Sequence, residues 1–94
     1  MANDGKAPQL DFNAFVLSLG SSALIHLGIA PDPMTQKKQP PELSLAQQSI
    51  DLLALLQEKT RGNLSGDESK LLETLLFDLR MQFVEVAREK PAGK

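Results

Sequence analysis

Cysteine, tryptophan and tyrosine are absent from this chain, and one histidine and four phenylalanines complete its sparse set of rings. Each scarcity removes a class of function. Without Cys there is no disulfide framework, no thiolate nucleophile and no Cys-based zinc site. A single His cannot furnish a His-rich metal centre. Without Tyr and Trp the chain lacks the ring platforms on which single-stranded nucleic acids stack. Lys and Arg number 10 against 12 Asp and Glu, for a net charge of −2. That slight acidity is the wrong footprint for a general nucleic-acid binder, and no nucleic-acid partner is expected. No basic, apolar leader opens the chain, so the expected location is the cytoplasm. Phosphate-cradling glycine loops and paired catalytic groups are missing too, and the sequence implies no catalytic residue, no cofactor and no metal.

What remains is a helical pattern. The 94 residues suit one domain, expected as a disordered arm over 1–10, a helical domain over 11–90 and a disordered tail over 91–94. The domain is organised around residues 43–87, two helices joined by Lys59-Thr60-Arg61-Gly62-Asn63-Leu64-Ser65. Arg61 suits the negative end of a helix, and Gly62 can take the left-handed conformation that closes a last turn. Ser65 and Glu68 have the spacing of a capping box, with Asp67 and Glu68 placing negative charge on the new first turn. So short a connection makes the two helices antiparallel neighbours.

The spacing predicts a first helix over about 12–29, capped by Asp11. Phe12, Phe15, Val16, Leu19, Ala23 and Leu27 form its main stripe. Ala14, Ser18, Gly20, Ser21 and Gly28 are small, and no charged side chain falls between Asp11 and Asp32. A surface helix would carry a charged back. This one reads as buried on most sides, in a helical assembly or, as the alternative, in or on a bilayer. Asn13, His26 and the serines, with no interfacial Trp or Tyr, favour the assembly.

Four prolines between Ala30 and Glu42 end that helix and leave a linker over 30–43, expected to constrain the first helix little. A second helix is expected over about 45–61, opened by a weaker Ser44–Gln47 box. Its apolar stripe combines Ala46, Ile50 and Leu53 with Leu45, Leu52 and Leu56, against a polar side of Gln47, Asp51 and Glu58. The third helix, about 66–90, is apolar on two opposed sides: Leu72, Leu75, Leu76, Leu79, Phe83 and Val86 on one, Phe77, Met81 and Val84 on the other. Such a helix must be sandwiched, and one side needs a second copy of the chain or the first helix.

Few residues invite chemistry. His26 could act as a general base or pH switch, but reads better as a core imidazole with one satisfied hydrogen bond. Asp51 and Glu58 share a helix face, as a solvated edge does. Arg61 and Arg80 could form bidentate pairs with Asp51, Glu58 or Asp78, or with a partner's acid; no glycine nest marks them as phosphate ligands.

Phe15-Val16-Leu17-Ser18-Leu19, Ser22-Ala23-Leu24-Ile25-His26-Leu27-Gly28 and Pro31-Asp32-Pro33 occur in that order. Ile50-Asp51-Leu52-Leu53, Glu58-Lys59-Thr60-Arg61-Gly62-Asn63-Leu64 and Asp78-Leu79-Arg80-Met81 follow. Over about 11–86 the chain resembles the small bacterial proteins grouped as domain of unknown function 1844. The resemblance implies bacterial origin and a compact domain, and it brings no catalytic residue.

The expectation is therefore an all-α protein, an antiparallel hairpin plus an N-terminal helix. It should form a homodimer or higher homo-oligomer and serve as a non-enzymatic interaction or scaffold module, with an unidentified protein partner possible. Leu17, Ser21, Leu24, Gly28, Phe77, Met81 and Val84 are the candidate interface; Asp51, Glu58, Arg61, Asp78 and Arg80 are candidates for structural ion pairs. The alternatives are membrane association through 12–29 and a small enzyme or ligand-binding protein using His26 with Arg61 or Arg80.

Overall fold

Among the described residues three α-helices make up the fold: α1 (Phe12–His26), α2 (Leu43–Lys59) and α3 (Gly66–Glu89). The structure is a computed structural model that describes residues 11–89, and no strand occurs among them. The arm over 1–10, the tail over 91–94 and Lys90 at the expected end of the third helix lie outside the described residues.

The helix starts follow local chemistry at two of three places. Asp11 caps α1, its Oδ1 accepting from the Ala14 N–H at 2.8 Å. The box at α3 forms in both directions: the Glu68 N–H donates to Ser65 Oγ at 3.2 Å, and the Ser65 N–H donates to Glu68 Oε1 at 2.9 Å. At α2 the expected box does not form. The helix begins at Leu43, with Glu42 as an N-cap whose side chain makes no capping bond. Ser44 thus sits inside the first turn, and Gln47 Nε2 donates to Asp51 Oδ1 at 2.9 Å instead. The Glu42 N–H donates to the His26 carbonyl at 2.7 Å, so the start of α2 is tied to the end of α1.

α1 stops at His26 rather than reaching Ile29. Gly28 has φ +79°, the Gly28 N–H bonds the Ile25 carbonyl, and the Ile29 N–H reaches back to the Leu24 carbonyl. This pair of bonds around a left-handed glycine is the Schellman closure, which satisfies carbonyls the helix leaves orphaned. α2 likewise ends at Lys59, two residues short of Arg61. The Thr60 N–H and hydroxyl both bond the Leu56 carbonyl, and Gly62 follows at φ +88°.

The linker constrains α1 more than its prolines suggest. Asp32 Oδ1 accepts from the Met34 N–H at 2.8 Å, and Oδ2 accepts from Gln39 Nε2 at 2.6 Å. The Asp32 N–H bonds the Lys37 carbonyl, and the Asp32 carbonyl accepts from the Gln36 N–H. Residues 32–39 therefore close on one aspartate, as Asx turns do.

Val16 and Ala23 of α1, Ile50 and Leu53 of α2, and Leu72, Leu76 and Leu79 of α3 form the core, each at most 2% exposed. All three helices touch one another. Gly20 is buried against α3, where a Cβ would lie 2.9 Å from Leu75 Cδ2. One small residue of α1 thus serves close approach within the chain. α1 is not buried on most of its sides: Ala14, Phe15, Leu17, Ser18 and Ser21 are exposed. Phe83 is half-buried at the core's edge.

Candidate functional site

Among the described residues, six of the ten exposed large apolar side chains gather on two faces. The first is on α3. Leu72, Leu76 and Leu79 point inward, and residues five or two positions away point out. Phe77, Met81 and Val84 are 63%, 52% and 51% exposed. Together with Arg80, Glu85 and Arg88 they line a shallow concavity of about 370 Å³.

The second face lies between α1 and α2. Phe15 and Leu19 meet Leu52, Leu55 and Leu56 in an open groove of about 340 Å³, with Lys59 at its end. Leu52 and Leu55 are 48% and 53% exposed. The apolar pattern does not announce this groove. Phe15 reads as core by spacing, yet it sits at the margin of the α1 stripe and turns outward. Leu52 and Leu55 fall roughly 100 to 160° around α2 from Leu53, at 100° per residue. An apolar arc that wide is the available signal, since one neighbouring helix covers less.

The candidate residues are spread over several parts of the fold. Leu17, Ser21, Phe77, Met81 and Val84 are exposed; Leu24 is half-buried and packs against the core. Gly28 faces the linker, and a Cβ there would stand 2.7 Å from the Gln39 carbonyl oxygen. Asp51 is engaged by Gln47, Glu58 is exposed on α2, and Asp78 and Arg80 are exposed on α3. Arg61 lines a polar pocket at the hairpin turn with Gln57, Leu64, Ser69 and Glu73.

These groups do not converge on a reaction centre. The His26 carbonyl meets the start of α2, whereas Arg61 lies past its other end, about 26 Å away by the rise of a 17-residue helix. Arg80 belongs to the outer face of α3. The imidazole is half-buried, and its Nδ1 is enclosed with no hydrogen-bond partner among the described residues, so at that nitrogen the expected bond is not made. Among the described residues no three His or acidic side chains gather as metal ligands would. None of the described helices is long and apolar enough to cross a membrane. α1, with 15 residues, extends about 22 Å, short of the roughly 30 Å hydrocarbon layer.

No curated protein and no solved structure matches the chain. A family model described as Domain of unknown function (DUF1844) matches residues 9–85.

Proposed function

The chain belongs to the DUF1844 family, whose description carries no activity, and we propose from its surface that it is a non-enzymatic protein-interaction or scaffold module. It acts as a homo-oligomer in the bacterial cytoplasm. One observation carries this reading: the stripe Phe77, Met81 and Val84 stands on the side of α3 opposite the core, each residue at least half exposed. Three large apolar side chains in register on one helix are a docking face rather than scattered surface residues. Burying them stabilises an association by about 25 cal/mol for each Å² withdrawn from water, before the cost of ordering two bodies.

Among the described residues the polar side chains singled out in the sequence for chemistry stand apart from one another. His26, Arg61 and Arg80 are not gathered in one cavity, and the two apolar concavities described above are open to solvent. Sedimentation velocity from low micromolar to near-millimolar concentration tests the reading. A sedimentation coefficient that rises with concentration is expected. An unchanging monomer across that range contradicts it.

A further inference from the structure

The outer face of α3 carries a short heptad register. Phe77, Met81 and Val84 follow one another at steps of four and three, which puts Phe77 and Val84 at d positions and Met81 at a. Arg80 and Glu85 then occupy the flanking g and e positions. At 100° per residue they lie on opposite margins of the stripe, about 70° to either side of its middle. Both are exposed, and both border the same concavity as the apolar residues. The inward side of this helix is taken by Leu72, Leu76 and Leu79. A helix laid on the outer side therefore meets α3 alone, and two domains joined there stand back to back.

The margins decide what fits and in which direction. Alongside residues 77–85 one carries Arg80, and the other carries Asp78 and Glu85. When two such helices run parallel, each margin meets the opposite margin of its neighbour, and a g residue lies beside the neighbour's e residue five positions on. Arg80 then faces Glu85 of the other copy, and the two-fold axis repeats the pair. When they run antiparallel, like margins meet, and Asp78 and Glu85 face the same acids of the other copy. The charges thus favour parallel pairing and disfavour its reverse. They also bound its length. Towards the N-terminal end Glu73 would oppose Asp78, and after Val84 the next a position is Arg88, which would meet its own copy.

We propose that α3 pairs in parallel with α3 of a second copy along Phe77, Met81 and Val84, with Arg80 of each copy bound to Glu85 of the other. The proposal rests on the homo-oligomer reading and assigns it a surface and a direction. A seam little longer than one heptad gives a weak, concentration-dependent dimer.

Charge reversal tests it. Arg80→Glu and Glu85→Arg each place like charges across the seam, and each raises the dimer dissociation constant by about tenfold or more. Mixed in equal amounts, the two variants restore opposite charges on both sides of the seam. On one side the introduced carboxylate faces the introduced guanidinium; on the other the native Arg80 faces the native Glu85. Native mass spectrometry then shows the heterodimer in excess over either homodimer. Unchanged helical circular dichroism confirms that the exposed substitutions leave the fold intact, and Arg80→Lys retains association. If the wild type associates but the single variants do so equally well, the seam is wrong while the homo-oligomer reading stands. The seam is equally wrong if mixing restores nothing, or if association is lost only on Leu55→Asp in the groove between α1 and α2. If the wild type stays monomeric to near-millimolar concentration, both fail.

Discussion

Gly28 holds φ at +79°, and the space its missing Cβ leaves is filled by the Gln39 carbonyl 2.7 Å from where that atom would stand. Gly28→Ala should therefore cost at least the roughly 1–2 kcal/mol of a left-handed L-residue, because the opposing atom is backbone and cannot swing aside. Chemical denaturation measures this. Gly20→Ala is the contrast: its neighbour is the flexible end of Leu75, and alanine's better helix propensity, about 1 kcal/mol, offsets the displacement. A stability near wild type is expected in the same assay. Ser65→Ala removes one half of a formed box and should cost about 1 kcal/mol. Residues of this kind are partly legible in sequence. Ser65–Glu68 and Asp11 could be read because a cap depends on neighbours three residues away. Gly28 could be recognised as small, but what occupies the vacancy is a linker carbonyl eleven residues on, which no local spacing reveals.

At the level of the helices, depth sets the cost of truncation. Leu53 on α2 is fully buried, and Leu53→Ala should lose about 2–5 kcal/mol. Phe83 on α3 falls on the main stripe of the pattern, yet it is half-buried at the rim. Phe83→Ala should consequently cost less than the roughly 3–5 kcal/mol of a fully enclosed ring. Thermal melts of the two variants should rank them in that order. Periodicity discloses that three helices exist and which line of each faces inward. It does not disclose where each stripe stops being covered, because that depends on how neighbouring helices cross. Phe15, Leu52 and Leu55 sit just past that limit. The linker escapes for a related reason. Its prolines announce a break, but closure depends on Asp32 bonding both Met34 and Gln39. Asp32→Ala should speed hydrogen exchange at the Met34 amide without unfolding the helices.

For the molecule as a whole, the helices enclose one small core and leave Leu17, Leu52, Leu55, Phe77, Met81 and Val84 largely outside it. That surplus is legible in sequence on α3, where two opposed apolar lines cannot both face one core. On α1 the lack of charge is visible, but which part of the helix stays bare is not. Truncating a residue the fold does not enclose should leave stability within about 0.5 kcal/mol, so Phe77→Ser and Met81→Ser should separate folding from association: melting of the monomer unchanged, self-association lost. The most direct measurement follows the methyl signals of Met81 and Val84 by NMR while the wild-type protein is diluted. Their resonances should move progressively with concentration, whereas those of Leu53 in the core stay fixed. If the Met81 and Val84 signals hold their positions from near-millimolar to low micromolar protein, no second copy covers that face and the account is contradicted.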